Sequence, residues 1–193
     1  KTYRQGVNMK IGIVGLGLIG GSLAKAIGKY TSHTVLGSDI RSQVVSDALA
    51  DGVIDGVLED SMLSECGLVI VALFPQDTVD YIKSHCHLFG RETVVMDVCG
   101  VKEAVCSPLK ELDIHFIGAH PMAGREKFGY YYSSPELFQG ASMILTPYDH
   151  TPRQHIQLII DLSKKIGFGK TVVTTPEIHD QVIAYTSQLP HVL

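Results

Sequence analysis

Three glycines open the chemistry of this sequence. Gly15-Leu16-Gly17-Leu18-Ile19-Gly20 follows a short apolar run and leads into a helical pattern, the setting in which a G-x-G-x-x-G turn cradles the pyrophosphate of a dinucleotide. Gly15 permits the tight turn, Gly17 lets backbone approach the anion, Gly20 lets helix and strand pack closely, and the helix start at Leu18 and Ile19 offers free N–H groups. A glycine-rich turn can also exist without a ligand. Asp39 tips the reading, because it stands at the end of the next strand-like run, about 20 residues on, where an acid bonds a ribose hydroxyl. Its charge favours NAD over NADP by repelling a 2′-phosphate. Arg41 is either a counter-charge for that phosphate or a solvated residue at the start of the second helix.

A second set gathers where strands are expected to end, since ligands of open α/β sheets sit at the carboxyl ends of strands. This singles out Leu73 to Asp77, Asp97 to Lys102, and His120 within Gly118-Ala119-His120-Pro121-Met122-Ala123-Gly124. We read Leu73, Pro75 and Asp97 as cofactor contacts. Turn chemistry accounts for the prolines and glycines but not for His120, an imidazole at a strand terminus above the expected nicotinamide. A general base with a pKa of about 6.5 is useful there. The other histidines are read as hydrogen-bonded structural residues. His85-Cys86-His87 has the residue types of a metal site, but adjacent helical residues face different directions and no further ligand converges, so no metal is expected. Ser187 and His191 would share a helical face, yet neither a G-x-S-x-G elbow nor a placed acid supports a hydrolase.

The elements that must position these residues follow from the apolar pattern. Strands are expected at Lys10 to Val14, Thr34 to Ser38, Leu68 to Leu73, Thr93 to Val98, His115 to Ala119, Ser142 to Thr146 and Lys170 to Val173. Helices are expected at Ile19 to Lys29, Ser42 to Ala50, Thr78 to His87, Lys102 to Glu111 and Pro152 to Ile166, the last capped by Thr151 and stopped at Gly167. The strands are continuous and β-branched rather than alternating, which marks burial on both faces and a mostly parallel sheet. The fold class is therefore α/β, a Rossmann-type doubly wound domain over 9–174. A helix opening near Pro176 begins a separate helical region at 175–193. Residues 1–8 precede Met9 and are expected to be a leader outside the fold.

Composition narrows the function classes. Of 193 residues, 45% are hydrophobic and 19% charged, and 16 Lys+Arg against 20 Asp+Glu leave a net charge of −4. That balance carries no electrostatic footprint for nucleic acid or an anionic membrane, so the expected partner is a small molecule. No apolar run approaches the ~20 residues of a membrane helix. Four cysteines without CxxC spacing suggest free thiols and a cytoplasmic setting.

Three segments together resemble the prephenate and arogenate dehydrogenases of tyrosine biosynthesis: IGIVGLGLIGGS from Ile11 to Ser22, GAHPMAG from Gly118 to Gly124, and SQLPH from Ser187 to His191. The resemblance implies NAD-dependent oxidative decarboxylation, with hydride leaving the carbon that bears the ring hydroxyl, His120 taking the hydroxyl proton, and CO2 departing as the ring becomes aromatic. It implies that His191, Ser187 and Gln188 lie beside the substrate, prephenate or arogenate, and that two chains pair through a helical domain. Asp97 to Lys102 resembles a family segment reading D-V-G-S-x-K, whose serine bonds the hydroxyl and the catalytic histidine; here that position is Gly100. The family also grips the ring carboxylate with an arginine from the helical domain. That arginine is expected beyond Leu193, with Arg125 as the only substitute placed near the histidine loop. The chain as given is thus expected to bind NAD, to oxidise prephenate little or not at all, and to dimerise weakly. A β-hydroxyacid-type dehydrogenase, which would rely on a lysine in a following helix, and a non-catalytic NAD-binding sensor are the alternatives.

Overall fold

The computed structural model describes residues 8–124 and 126–188, the last three of these by backbone alone. The apolar runs form β1 (Lys10–Val14), β2 (Thr34–Ser38), β3 (Gly56–Val57), β4 (Leu68–Val71), β5 (Val94–Asp97), β6 (His115–Pro121), β7 (Ser142–Pro147) and β8 (Lys170–Val173). They lie in one sheet of order β3-β2-β1-β4-β5-β6-β7-β8. Pairing is parallel except between β6 and β7, where His120 stands opposite Ile144 in an antiparallel register. Around the sheet pack α1 (Leu18–Tyr30), α2 (Ser42–Ala50), α3 (Pro75–His85), α4 (Glu103–Cys106), α5 (Arg153–Lys165) and α6 (Pro176–Gln188).

Both faces of the sheet are covered, which is why its strands show no polar alternation. One core joins Leu23 and Ile27 of α1, Val44 of α2 and Ile159 of α5 to Leu68, Ile70, Val94 and Met96. The other joins Val79 and Ile82 of α3 and Val105 of α4 to Val69, Val71 and Val95. Because β1 lies between β2 and β4, the chain leaves the centre of the sheet in opposite directions, opening a crevice at the carboxyl ends of β1 and β4.

Four local departures from the expected elements have physical causes. β3 is only two residues long, too short to show a pattern. α3 starts at Pro75 instead of Thr78, since proline's fixed φ suits a first helical turn. The helix expected over Lys102 to Glu111 stops at Cys106 and continues as a 3-10 turn, Ser107–Leu109, because Pro108 has no N–H for an α-helical bond. Thr151 does not cap α5: Pro152 occupies the N-cap in extended backbone, with no side-chain cap bond. The expected stop at Gly167 does occur, at φ +103.

Candidate active site

At the cofactor end, β1 runs straight into Gly15, whose φ of +87 and whose Cβ position, 2.5 Å from the Ala72 carbonyl, leave room for no side chain. A Cβ on Gly20 would lie 1.9 Å from the Gly15 carbonyl, so the first turn of α1 packs directly on the glycine turn. Gly17 differs: a Cβ there would meet nothing within 4 Å. Its bareness is therefore not needed by the protein's own packing, and it opens a cradle on the crevice side. Gly17 also N-caps α1 with no side-chain cap and no acid in the first turn, so the leading N–H groups of Leu18, Ile19 and Gly20 remain available to an anion.

Asp39 follows β2 and faces the same turn. Its Oδ2 accepts the Leu16 N–H at 2.9 Å, and its Oδ1 accepts the Arg41 backbone N–H at 2.9 Å and Nε–H at 3.2 Å. Burial by itself would raise the Asp39 carboxyl, but these donors outweigh it and hold the group below the usual carboxylate range. Arg41 thus folds back on Asp39 through its backbone N–H and Nε. Leu73 sits half-buried just past β4, its carbonyl accepting the Cys99 thiol at 3.5 Å, and Pro75 starts α3. Both follow the carboxyl end of β4, at the crevice beside β1.

Asp97 departs from its expected role at the cofactor. It is fully buried below the crevice. Its Oδ2 takes the Lys102 ammonium and the Cys99 N–H, and its Oδ1 the Ala119 N–H. Lys102, also fully buried, spends a second donor on the Ala119 carbonyl at 2.7 Å. The pair therefore ties the ends of β5 and β6 together, one residue before His120.

His120 sits near the end of β6, on the same edge of the sheet as the glycine turn. Three strand spacings separate the two, roughly 14 Å. Its Nδ1 lies 2.8 Å from Nε2 of His179 on α6, and His179 Nδ1 lies 2.7 Å from Asp180 Oδ1. The opposite edge of the ring faces Gly100, where a Cβ would stand 3.5 Å from Nε2 and 3.7 Å from Cε1. Burial, then the neighbouring His179 and Lys102, pushes the His120 imidazole down to about 4, so near neutrality it is an uncharged proton acceptor. His179 and Asp180 were not singled out in the sequence. The signal available was an adjacent His-Asp pair in the opening turns of a helix that follows the last strand.

Of the remaining expected site residues, Arg125 and His191 lie outside the described residues. Ser187 and Gln188 fall in the last turn of α6, described by backbone alone.

Residues 23–173 match the family model for the prephenate dehydrogenase nucleotide-binding domain. Cyclohexadienyl dehydrogenase of Zymomonas mobilis is 34% identical over 188 residues, which are 95% of this chain and 64% of that protein. The crystal structure of Synechocystis arogenate dehydrogenase superposes with a TM-score of 0.89 at 30% identity, over 94% of this chain and 65% of the other. Prephenate dehydrogenase from Aquifex aeolicus, solved in complex with hydroxyphenyl propionate and NAD+, gives 0.87 at 28% identity, over 98% and 68%. This chain spans less than two-thirds of the Zymomonas relative's length. Because that family model covers more than half of the chain, and the sheet superposes on those of these enzymes, the chain belongs to the prephenate dehydrogenase family, through its nucleotide-binding domain.

Proposed function

We propose that this chain carries the cofactor site and the general base of an enzyme that oxidatively decarboxylates prephenate to 4-hydroxyphenylpyruvate with NAD. The observation that carries the reading is His120: a neutral imidazole on the carboxyl edge of the sheet, its Nε2 edge open beside Gly100. NAD, when bound, supplies the hydride acceptor. The open face of Gly17 and the uncapped start of α1 suit its pyrophosphate, and Asp39 suits the ribose hydroxyls. His120 accepts the ring-hydroxyl proton at Nε2 as the hydroxyl-bearing carbon is oxidised. The electron pair of the breaking C–CO2 bond then enters the ring, which becomes aromatic. Gly100 contributes no side chain to this proton transfer.

The reading extends to the rest of the protein. Thr175 Oγ1 accepts the Ile178 N–H at the start of α6, and Ile178 and Tyr185, one helical face apart by seven residues, are exposed. This supports α6 as the opening of a helical region through which two chains pair. The test is a substrate panel on the full-length protein with NAD: NADH forms with prephenate in preference to arogenate or a 3-hydroxy acid. Turnover of the hydroxy acid alone sinks the proposal.

Cofactor choice has its own test. Asp39→Ser removes the charge that repels a 2′-phosphate and releases Arg41 from its carboxylate partner. One lost or gained charge-assisted hydrogen bond shifts affinity roughly ten- to a hundredfold, so the NADPH-to-NADH affinity ratio, read by fluorescence titration, rises by about that factor. Wild-type protein binding NADPH more tightly than NADH would reassign Arg41 as a phosphate ligand.

A further inference from the structure

We infer that His179, anchored by Asp180, is a positioning residue that locks His120 in its Nδ1–H tautomer and so leaves His120 Nε2 bare as the proton acceptor. The role in turnover rests on the function proposed above; the tautomer rests on the hydrogen accounting for a neutral His179. Asp180 Oδ1 receives the Lys102 N–H at 2.8 Å and faces His179 Nδ1 at 2.7 Å, while Oδ2 receives the Glu103 N–H at 2.9 Å. Burial tends to raise the Asp180 carboxyl, but those N–H donors prevail and hold it below the ordinary range, so it is ionised. An ionised carboxylate has lone pairs only, and His179 Nδ1 must therefore carry the hydrogen that bridges them. In a neutral His179 this leaves Nε2 as a lone pair. The 2.8 Å contact to His120 is then donated by His120 Nδ1–H, because the hydrogen bond made by one imidazole nitrogen decides the state of the other. The bare Nε2 is the one beside Gly100.

The parts of this chain are fixed independently of any ligand. The His179 side chain is fully buried, and Asp180 caps the start of α4 across the space between two helices. The charged and titratable groups around His120 are Lys102, Asp97, His179 and Asp180. Lys102 and Asp97 are committed to each other, which leaves the His179–Asp180 pair to receive the imidazolium Nδ1–H when His120 takes a proton. This is the logic of a base oriented by a third group. His179 acts through His120 and not on the reacting atoms.

The test has a readout apart from turnover. In 15N-histidine-labelled wild-type protein near neutral pH, long-range 1H–15N spectra show His120 with a protonated Nδ1 and a bare Nε2. An Nε2–H tautomer in wild type overturns the inference. In the full-length protein, His179→Phe, which fills the space but accepts nothing, loses the single tautomer. It lowers kcat about ten- to a hundredfold, less than the ~10⁴-fold effect of removing a triad's orienting carboxylate, with NADH affinity unchanged. His179→Gln, whose Oε1 reaches about as far as the imidazole Nε2, restores both tautomer and most of kcat. A Phe variant with wild-type kcat, or a Gln variant as slow as Phe while melting like wild type, overturns the positioning role. If the wild-type tautomer is as inferred but prephenate is not oxidised, the positioning stands and the proposed function fails.

Discussion

His120→Asn in the full-length protein is expected to lower kcat by ~10²- to 10⁴-fold, the range typical of lost acid–base assistance, with NADH affinity at the wild-type level. Asparagine places an amide near the imidazole Nδ1, so it can still donate to His179 Nε2 and keep the packing at the end of β6. Nothing in it reaches the Nε2 position beside Gly100. The glycine turn lies roughly 14 Å away, three strand spacings across the sheet, and should not register the change. Near-normal turnover in a variant that binds NADH normally would reduce His120 to a packing residue.

The pH dependence carries the same assignment. Burial, together with His179 and Lys102, holds the His120 imidazole down at about 4, against about 6.5 in an unfolded chain. The base form therefore persists well below neutrality, and the acid limb of kcat/KM, which reports the free enzyme, falls below the ordinary histidine value. Linkage gives the sign for stability. Between about 6.5 and 4 the unfolded chain binds the proton and the folded one does not, so this group's contribution is complete above 6.5 and is lost as pH falls through that window.

What could be read from the sequence was what local spacing encodes. The glycine turn and Asp39 lie within one βαβ unit, where chain geometry leaves few places for each residue to go. His120 was legible because a strand end cannot hide a residue that turn chemistry does not require. His179 was not: its contact with His120 spans 59 positions and depends on how α6 packs beside α4, which no periodicity reports. Asp97 misled for a related reason. A strand-end acid can point into the crevice or beneath it, and Lys102, five residues later, draws it beneath. The break in the helix after Cys106 was visible in Pro108, but the apolar residues on either side of it imitate a continuous helix.

Lys102→Met is expected to destabilise the protein by about 3–5 kcal/mol, the usual effect of removing one partner from a buried ion pair. For a domain of this size that lowers Tm by roughly 6–20 °C. Asp97 is fully buried, and without the ammonium its carboxylate retains only the Cys99 and Ala119 N–H donors. The Ala119 carbonyl also loses a donor, which loosens β6 one residue before His120, so activity falls with stability. Lys29→Met serves as the control: Lys29 and Glu136 are each half exposed, and breaking such a solvent-screened surface pair should leave Tm close to wild type. Added salt should weaken the Lys29 pair and leave the Lys102 effect unchanged, because a pair out of contact with solvent is little screened. The double variant Lys102→Met with Asp97→Asn should be less destabilised than the sum of the two single variants, since the residues are in direct contact. A Lys102→Met protein that melts within about 2 °C of wild type, a change below 1 kcal/mol, would mean that the two N–H donors suffice to hold the Asp97 charge.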